Sequence, residues 1–293
     1  MLKIAVFGGT GYLASLIKNQ NKENKNKYIF FSRKKNQQNY IDYKLLKKNF
    51  NKFKNFDYVI HLVGSNQNKL IKNKNLIKKK NKITSDICDL CLTNNIKLIY
   101  ISSLQIYKNY GKNNLTIESK INYKNSYSQS HFKSEEIIKK KFFSYKNTFM
   151  ILRVGNIFGF KKYEKLPEIH NNIIHKLCIS ALEKKKIVIE KGFLQRTFIP
   201  SQIFVDTINT LIKKNLFNNS IVNISYKIFS LKEVAYLIKK RLELILNYKV
   251  DIKIKKSFNL KKFTVSCSKK FRYKFNKHQI NHEVDRILKN LNK

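Results

Sequence analysis

The chain has 293 residues, of which 42% are hydrophobic, so it is long enough to bury a full core in one or two domains. Its formal net charge is +43, yet the 61 basic residues are spread along the whole sequence and only six of them are arginine. With four alanines and no tryptophan, the composition indicates drift toward residues with AT-rich codons rather than a dedicated nucleic-acid surface, although so large a positive charge would bind polyanions weakly and without specificity.

The sequence predicts neither a membrane span nor an export signal. No apolar run approaches the ~18 residues that cross a bilayer, and MLKIAVFGGTG at the N-terminus is typical of a strand and a turn. Cys88 and Cys91 form a lone CxxC on the apolar face of a predicted helix, where small buried core residues are more common than a redox or metal pair. We therefore expect a cytoplasmic protein with reduced cysteines, no metal site and no membrane partner.

Strands and helices alternate through the first half of the chain. Residues 3–8 form a β-branched and aromatic run that predicts a strand, and YLASLIKNQ after it has helical spacing. Further strands are predicted over 27–32, 39–43, 57–64, 96–103 and 148–155, and further helices over KKNKITSDICDLCLTNN and from Tyr127 to about Lys141. The alternation predicts the α/β class, with a Rossmann-type, doubly wound parallel sheet that has helices on both faces.

After Gly159 the pattern loosens. NNIIHKLCISALEKKK is predicted to be helical, KIVIE to be a strand, and QRTFIPSQIFVDTINTLIKK to be a strand that runs into a helix. A strand follows over 220–225, and the helix over 230–246 begins with a capping box of Ser230 and Glu233. HEVDRILKNL closes the chain as a short amphipathic helix.

A glycine-rich turn joins the first strand to the first helix. FGGTGYLAS places Gly8, Gly11 and Ala14 in a GxxGxxA arrangement. Glycines there let the backbone approach a pyrophosphate, and the helix N-terminus favours its negative charge, whereas an ordinary tight turn is the alternative. The second strand ends at Ser32 and Arg33, followed by Lys34 and Lys35, where an acidic residue would favour NAD. A hydroxyl with a guanidinium suits a 2′-phosphate, so we expect NADP or NAD and favour NADP.

Eight segments, in this order along nearly the whole chain, carry a family resemblance: GGTGYLA, DYVIHLVG, the helix from Asn81, YISSLQIYKNYG, YSQSHFKSEE, LRVGNIFG, QRTFIPSQIFVDTI and FTVSCSKKFRYKF. They resemble the extended short-chain dehydrogenase/reductases, in particular the NAD(P)-dependent nucleotide-sugar epimerase/dehydratase family. The resemblance implies a dinucleotide-binding domain over residues 1–160 and a mainly substrate-binding region over 161–293, with about 196–225 returning to the first domain. It also implies a nucleotide-sugar substrate, and homodimers are common in the family.

The resemblance implies roles for individual side chains. Tyr127 would exchange a proton with a sugar hydroxyl or carbonyl, and Ser103 would hydrogen-bond the same oxygen. Asn156 and Arg196 would face the diphosphate of the nucleotide, and Gln105 would also contact the substrate. The dinucleotide would contact the glycine turn and the ends of the following strands, through Gly8, Thr10, Gly11, Tyr12, Leu13, Ser32, Arg33, Leu62, Val63, Gly64 and Ser102.

One catalytic position departs from the pattern of the family. His131 follows Tyr127 by four residues, where the family has a lysine that lowers the pKa of the tyrosine and holds the nicotinamide ribose. Residues i and i+4 lie about 40° apart on a helix, so His131 would sit beside Tyr127, whereas Lys133 would not. Imidazole can bond a ribose hydroxyl and imidazolium can lower a neighbouring pKa, although histidine is mostly neutral at pH 7.

The residues after Ser103 narrow the expected reaction. Leu104 and Gln105 stand where family dehydratases carry an Asp-Glu pair, so an epimerase or a 4-keto reductase is expected rather than a dehydratase. Ser201, Gln202 and Ile203 replace a second acidic pair, which marks a divergent member. The alternatives are a non-catalytic dinucleotide-binding subunit and an RNA-binding member of the same fold. The other histidines show no metal-ligand spacing: His61 is expected in a buried strand, and the rest at the surface or in grooves, namely His170, His175, His278 and His282.

Overall fold

The computed structural model describes the chain except residues 22–24, 34–38, 66, 147, 161–171, 257–262, 269–270, 272, 275 and 293, so Lys34, Lys35 and His170 lie outside the described residues. The described chain forms two compact units. The first comprises Met1–Lys108, Ser119–Val154 and Asn209–Asn223, and the second comprises Asn109–Glu118, Gly155–Ile208 and Ile224–Lys293. No helix in these described parts is both long enough and apolar enough to cross a bilayer.

Strands and helices alternate along most of the chain. The strands are β1 (Lys3–Phe7), β2 (Lys27–Phe31), β3 (Tyr58–His61), β4 (Lys97–Ser103), β5 (Phe149–Val154), β6 (Asn156–Phe158), β7 (Lys186–Lys191), β8 (Gln195–Pro200), β9 (Ser220–Ile224), β10 (Lys227–Ser230) and β11 (Asp251–Lys256). The α-helices are α1 (Tyr12–Gln20), α2 (Gln67–Lys72), α3 (Asn75–Thr93), α4 (Ser126–Lys141), α5 (Ile173–Lys184), α6 (Ser201–Lys213), α7 (Leu231–Leu246) and α8 (Lys277–Leu291).

A six-stranded sheet in the order β2-β1-β3-β4-β5-β9 forms the centre of the first unit. The pairings of β1 with β2, β1 with β3, β3 with β4 and β4 with β5 are parallel. Every residue of β3 and of β5 is buried, because apolar side chains on both faces of these strands are covered. The expected Rossmann-type α/β fold is confirmed.

Local sequence signals explain where several elements begin. Asn125 caps α4 by accepting hydrogen bonds from the backbone N–H groups of Tyr127 and Ser128. The capping box at the start of α7 is also confirmed. The strand expected over 39–43 is wrong: the backbone forms an isolated bridge between Ser32 and Tyr40, and a 3₁₀ helix over Tyr43–Phe53 then begins. Its N-cap is Asp42, whose carboxylate accepts the N–H of Lys44 and so favours a helix start over a strand.

The second unit contains a three-stranded sheet, β10-β8-β6, and a two-stranded sheet, β11-β7. Its core is built from apolar residues of α5, α7 and α8 with those of the strands. The sequence analysis missed β6, β10 and β11, which are short or, in DIKIKK, dominated by lysine. His175, expected at the surface or in a groove, is 3% exposed on the apolar face of α5. Cys88 and Cys91 are free and buried in α3, as expected.

A buried ion pair fastens α4 to the sheet. The Arg153 guanidinium donates from Nε to Glu135 Oε1 (3.0 Å) and from Nη2 to Glu135 Oε2 (2.6 Å). Ser102 donates to the same carboxylate at 2.5 Å, and Arg153 Nη1 donates to the Tyr107 hydroxyl at 2.7 Å. Tyr107 in turn donates to Asn223 Oδ1 at 2.8 Å. Side chains on β4, α4, β5 and β9 thus share one network, which fixes α4 over the end of β4.

We expect the variant Arg153→Met to lose about 3–5 kcal/mol in the free energy of unfolding, because the Glu135 carboxylate would stay buried without its cation. Urea unfolding followed by circular dichroism measures the loss. The matched control is Lys239→Met, which removes the exposed pair of Lys239 with Glu243 on α7 and should change stability by less than about 1 kcal/mol. Adding Glu135→Leu to Arg153→Met should recover stability. Equal losses of stability in Arg153→Met and Lys239→Met would contradict the assignment of a buried ion pair.

Candidate active site

The glycine turn after β1 leaves room for a phosphate group. Gly8 has a φ of +92°, and a Cβ on it would lie 3.1 Å from the backbone carbon of Leu62. The Gly11 N–H donates to the Gly8 carbonyl at 2.9 Å, and α1 begins immediately afterwards at Tyr12. Because Gly11 at the N-cap has no side chain, the first-turn N–H groups of α1 face a position that an anion can reach. The turn therefore fits the pyrophosphate of a dinucleotide.

Two residues that the sequence analysis missed hold this turn in place. Gly9 donates its N–H to the Phe31 carbonyl at 2.8 Å, and a Cβ on Gly9 would lie 2.8 Å from the backbone carbon of Phe30. Tyr43 accepts the Gly8 N–H at its hydroxyl at 3.0 Å, and burial raises the pKa of Tyr43 to about 12. The neutral phenol thus anchors the turn from the 3₁₀ helix, 35 residues away in the sequence.

The other expected dinucleotide contacts follow the ends of β1, β2 and β3. Ser32 is buried and donates its hydroxyl to Thr10 Oγ1 at 3.3 Å. Arg33 is exposed, and its guanidinium carbon lies 5.9 Å from the centre of the Tyr43 ring. After β3, the Leu62 N–H donates to the Phe7 carbonyl at 3.0 Å, which places the segment of Leu62, Val63 and Gly64 beside the end of β1. Tyr12 and Leu13 are partly buried in the first turn of α1.

The expected catalytic hydroxyls lie at the end of β4 and the start of α4. Ser103 Oγ accepts the Gln105 N–H at 3.1 Å, which leaves the hydroxyl hydrogen to donate to a ligand. The Gln105 carbonyl accepts the Ser128 hydroxyl at 2.9 Å, so the loop after β4 is tied to the first turn of α4. Tyr127 is partly buried in that turn. The side chain of Gln105, which was expected to contact the substrate, is exposed on the same segment.

His131 lies beside Tyr127, as the helical spacing predicts. The two ring centroids are 4.7 Å apart with an edge-on angle of 61°. His131 Nδ1 is 2.9 Å from the Tyr100 hydroxyl, so Nε2 is the ring nitrogen that remains for a ligand. Burial, followed by the charges of Lys80 and His61, holds the pKa of His131 well below its usual value. The ring is therefore neutral at pH 7, and His131 does not carry the positive charge of the lysine that it replaces.

Two further titratable side chains lie beneath His131, one of which the sequence analysis overlooked. Lys80 is 4% exposed on α3 and donates from Nζ to the Ser130 carbonyl at 3.2 Å. His61 is fully buried in β3, as expected, and its Nδ1 accepts the Val63 N–H at 3.2 Å. The Nε2 proton of the neutral His61 ring is thus left to Thr84 Oγ1, 2.9 Å away. Burial, followed by the charge of Lys80, lowers the pKa of His61 to about 3.

Ser102, expected at the dinucleotide, takes part in the buried network through its hydroxyl. It is 2% exposed, and its hydrogen bond to Glu135 joins β4 to α4. Its neighbour Ser103 points its hydroxyl to the opposite side of the strand, because successive side chains alternate. The two serines of the SS pair therefore have separate tasks.

In the second unit, the two expected diphosphate ligands meet around Tyr110, which the sequence analysis missed. Asn156 Nδ2 donates to the Tyr110 hydroxyl and to the Thr197 carbonyl, both at 3.0 Å. The Arg196 guanidinium carbon lies 5.1 Å from the centre of the Tyr110 ring. Gly111 has a φ of +82°, and a Cβ on it would lie 2.5 Å from Arg196 Nη1. The only sequence signal for Tyr110 was its place in YISSLQIYKNYG.

We expect Gly8→Ala to lower the free energy of unfolding by about 1–3 kcal/mol, because alanine rarely adopts a positive φ and its Cβ would press on Leu62. It should also weaken the binding of NADH and NADPH, which their fluorescence reports. The control for stability is Gly64→Ala, where the nearest atom to the added Cβ is 4.0 Å away. Equal destabilisation by the two substitutions would contradict the assigned geometry.

Comparisons with known proteins agree with the fold. A family model described as the NAD dependent epimerase/dehydratase family matches residues 4–225. UDP-N-acetylglucosamine 4-epimerase from Bacillus cereus aligns over 100% of both chains, with a TM-score of 0.81 and 20% identity. No curated protein sequence gives a significant match.

Two further solved structures have the same fold. UDP-N-acetylglucosamine 4-epimerase from Methanobrevibacter ruminantium M1, in complex with UDP-N-acetylmuramic acid, aligns over 98% of this chain and 97% of its own, with a TM-score of 0.76 and 19% identity. UDP-glucose 4-epimerase from Bifidobacterium longum, in complex with NAD+ and UDP, aligns over 99% of both chains, with a TM-score of 0.76 and 17% identity. At these identities the likeness establishes the fold, whereas the family model spans more than half of the sequence. The chain is therefore a member of the NAD dependent epimerase/dehydratase family.

Proposed function

We propose that the protein is an NAD(P)-dependent epimerase or 4-keto reductase that acts on nucleotide sugars. The observation that carries the proposal is the pairing of Tyr127 with His131 at 4.7 Å, in the unit that also contains the phosphate-accommodating turn at Gly8. The relatives support the substrate class, because the epimerases from Bacillus cereus and Bifidobacterium longum are named for UDP-N-acetylglucosamine and UDP-glucose.

The dinucleotide would lie along the ends of β1, β2 and β3. The backbone of the glycine turn and the first turn of α1 would hold the pyrophosphate, and Arg33 would face the adenosine ribose. The segment of Leu62, Val63 and Gly64 would line the path toward β4. When bound, the nicotinamide ring supplies the hydride acceptor or donor.

The side chains around Tyr127 would then handle the proton. The Tyr127 phenolate takes a proton from a sugar hydroxyl, or the Tyr127 phenol gives one to a carbonyl oxygen, and Ser103 holds the same oxygen with its remaining hydroxyl hydrogen. His131 uses Nε2 to bond a ribose hydroxyl or the phenol as a neutral imidazole. In the second unit, Asn156 and Arg196 would contact the diphosphate, since an arginine fork matches phosphate oxygens.

The residues after Ser103 favour epimerisation or reduction over dehydration. Leu104 is fully buried and apolar, and Gln105 does not titrate. Removal of water across a sugar needs an acid and a base at this place, and neither residue can supply them. The proposed reaction is therefore hydride transfer at one carbon atom with proton exchange at the oxygen that this carbon carries.

A second candidate is a non-catalytic subunit that keeps a bound dinucleotide. The neutral state of His131 favours it, because the usual cation that lowers the pKa of the tyrosine is missing from α4. This candidate predicts that the dinucleotide binds without turnover in the presence of every nucleotide sugar.

We expect the wild-type protein to interconvert UDP-N-acetylglucosamine or UDP-glucose with the C4 epimer, or to oxidise NADPH or NADH with a nucleotide 4-keto sugar. Tyr127→Phe should reduce kcat by about 10²–10⁴, because it removes the acid/base. Product analysis by NMR and the absorbance at 340 nm measure the two reactions.

The variant His131→Lys separates the two candidates. Turnover by the wild type makes the protein an enzyme that works with a histidine at this position. Turnover by His131→Lys alone would overturn the enzyme proposal and leave a binding scaffold. Dinucleotide binding without turnover in either protein would support the non-catalytic subunit.

For the cofactor, we propose a preference for NADP. Arg33→Ala should weaken NADPH binding about tenfold, since a charge-assisted hydrogen bond contributes roughly 1.5–3 kcal/mol at most, and should leave NADH binding nearly unchanged. Lys44→Ala removes an equal charge from an exposed position of the neighbouring 3₁₀ helix. It is the matched control for the effect of the protein's net positive charge on cofactor binding. Equal weakening of both cofactors by Arg33→Ala would contradict the preference.

A further inference from the structure

Lys80 is a buried lysine that reaches from α3 into the catalytic part of α4. It is 4% exposed, and its Nζ donates to the backbone carbonyl of Ser130, which directly precedes His131. Nζ also lies 5.6 Å from the centre of the Tyr100 ring, whose hydroxyl is bonded to His131. The ammonium group therefore contacts the backbone carbonyl of Ser130 and the ring of Tyr100, which is the side-chain partner of His131.

Among the residues that the structure describes, four titratable groups face Lys80 from the elements packed around it. They are His61 on β3, Tyr100 on β4, and His131 and Glu135 on α4. Glu135 is bound through both oxygens to Arg153, and its negative charge also favours the ammonium form of Lys80. The two histidines are neutral and Tyr100 stays protonated, because burial raises its pKa well above the usual value. Lys80 is thus the group whose charge state decides the local field.

The acceptor of Lys80 is a carbonyl, which gives a buried ammonium only weak compensation. Ser130 Oγ lies in the same place, 1% exposed, and has no hydrogen-bond partner in the part of the chain that the structure describes. A lysine that served stability alone would pair with a carboxylate or extend its ammonium to solvent. Its position instead directs a cation at the residue that stands beside Tyr127.

We propose that Lys80 is the positioning residue that supplies the positive charge of the catalytic cluster, from α3 rather than from α4, and acts on Tyr127 through His131. This inference rests on the proposed proton exchange at Tyr127. A cation here stabilises the phenolate that forms during proton transfer and keeps the His131 ring neutral, so that Nε2 can bond a ligand.

The charge on Lys80 depends on pH in a defined direction. Burial lowers the pKa of Lys80 to about 7, and Glu135 opposes the shift. The ammonium is therefore present below that pH and is lost above it, so turnover should fall as pH rises through about 7. Between that pH and the unfolded value near 10.5, the unfolded chain holds one proton more, so stability rises with pH.

The test compares the full-length wild type with Lys80→Met, Lys80→Arg and the control Lys79→Met. Lys79 is the exposed neighbour on α3, so its loss removes the same charge from the surface. In Lys80→Met we expect the NMR-measured pKa of His131 to rise by about one unit, because a like charge is removed. His131→Gln assigns the resonance, and Lys79→Met should leave it unchanged.

Stability and turnover give two further readouts. Below pH 7, Lys80→Met should unfold at a higher temperature than the wild type, because it removes an unfavourable buried charge, and the gap should close toward pH 10. With a substrate that the wild type turns over, kcat should fall about tenfold in Lys80→Met with little change in KM. Lys80→Arg should restore kcat and extend activity to higher pH, because arginine stays charged.

The outcomes separate this inference from the proposed function. An unmoved His131 pKa together with a less stable Lys80→Met would make Lys80 a structural residue and overturn the inference, whatever the activity. A moved His131 pKa with normal kcat in Lys80→Met would overturn its part in proton transfer. A moved pKa with no turnover by any variant would refute the proposed function and, with it, the catalytic part of the inference, and would leave the electrostatic coupling established.

Discussion

Arg153 and Glu135 expose 3% and 1% of their surfaces, so neither charge can remain in the fold without the other. Their two-fold hydrogen bonding fixes the distance between β5 and α4 to within the reach of one side chain. Glu135 lies one turn after His131, and His131 one turn after Tyr127. The ion pair therefore fixes the position of α4 against β5, and Ser102 on β4 adds a hydrogen bond to the same carboxylate.

Burial, rather than residue type, decides the charges of the candidate site. A histidine at the position of a catalytic lysine raises the question of whether an imidazolium replaces an ammonium. Because His131 is packed among Tyr100, His61 and Lys80, the charged ring would have to give up water without gaining an anion. The same packing that brings His131 to Tyr127 removes its charge, so a cation must come from elsewhere if the phenol is to lose its proton. Lys80 is a buried cation in such a position, because it donates to the backbone carbonyl directly before His131.

The sequence was sufficient wherever a feature depends on local spacing. Alternating strands and helices indicated the parallel sheet, the glycine pattern indicated the turn between β1 and α1, and the four-residue spacing indicated that His131 meets Tyr127. It was insufficient where contacts join distant segments. Tyr43 bonds a residue 35 positions away and Lys80 one 50 positions away, and no local pattern marks either among so many tyrosines and lysines. The same holds for β11 of the second unit, because lysine-rich DIKIKK resembles a loop until its partner β7 is known.

The composition itself becomes informative once the contacts are known. If drift replaced arginine by lysine wherever either sufficed, the remaining arginines should stand where a planar fork or a flat cation is needed. The described arginines meet this expectation: each pairs through two nitrogens with a carboxylate or lies over an aromatic ring, in the contacts of Arg33 with Tyr43, Arg153 with Glu135, Arg196 with Tyr110, Arg241 with Asp285 and Arg286 with Phe160. Lys80 is the complementary case, because it is the one lysine among the described residues that is buried. Drift explains lysines on the surface at little cost, but a buried ammonium lowers stability, so its position against the backbone directly before His131 argues for a role in the chemistry.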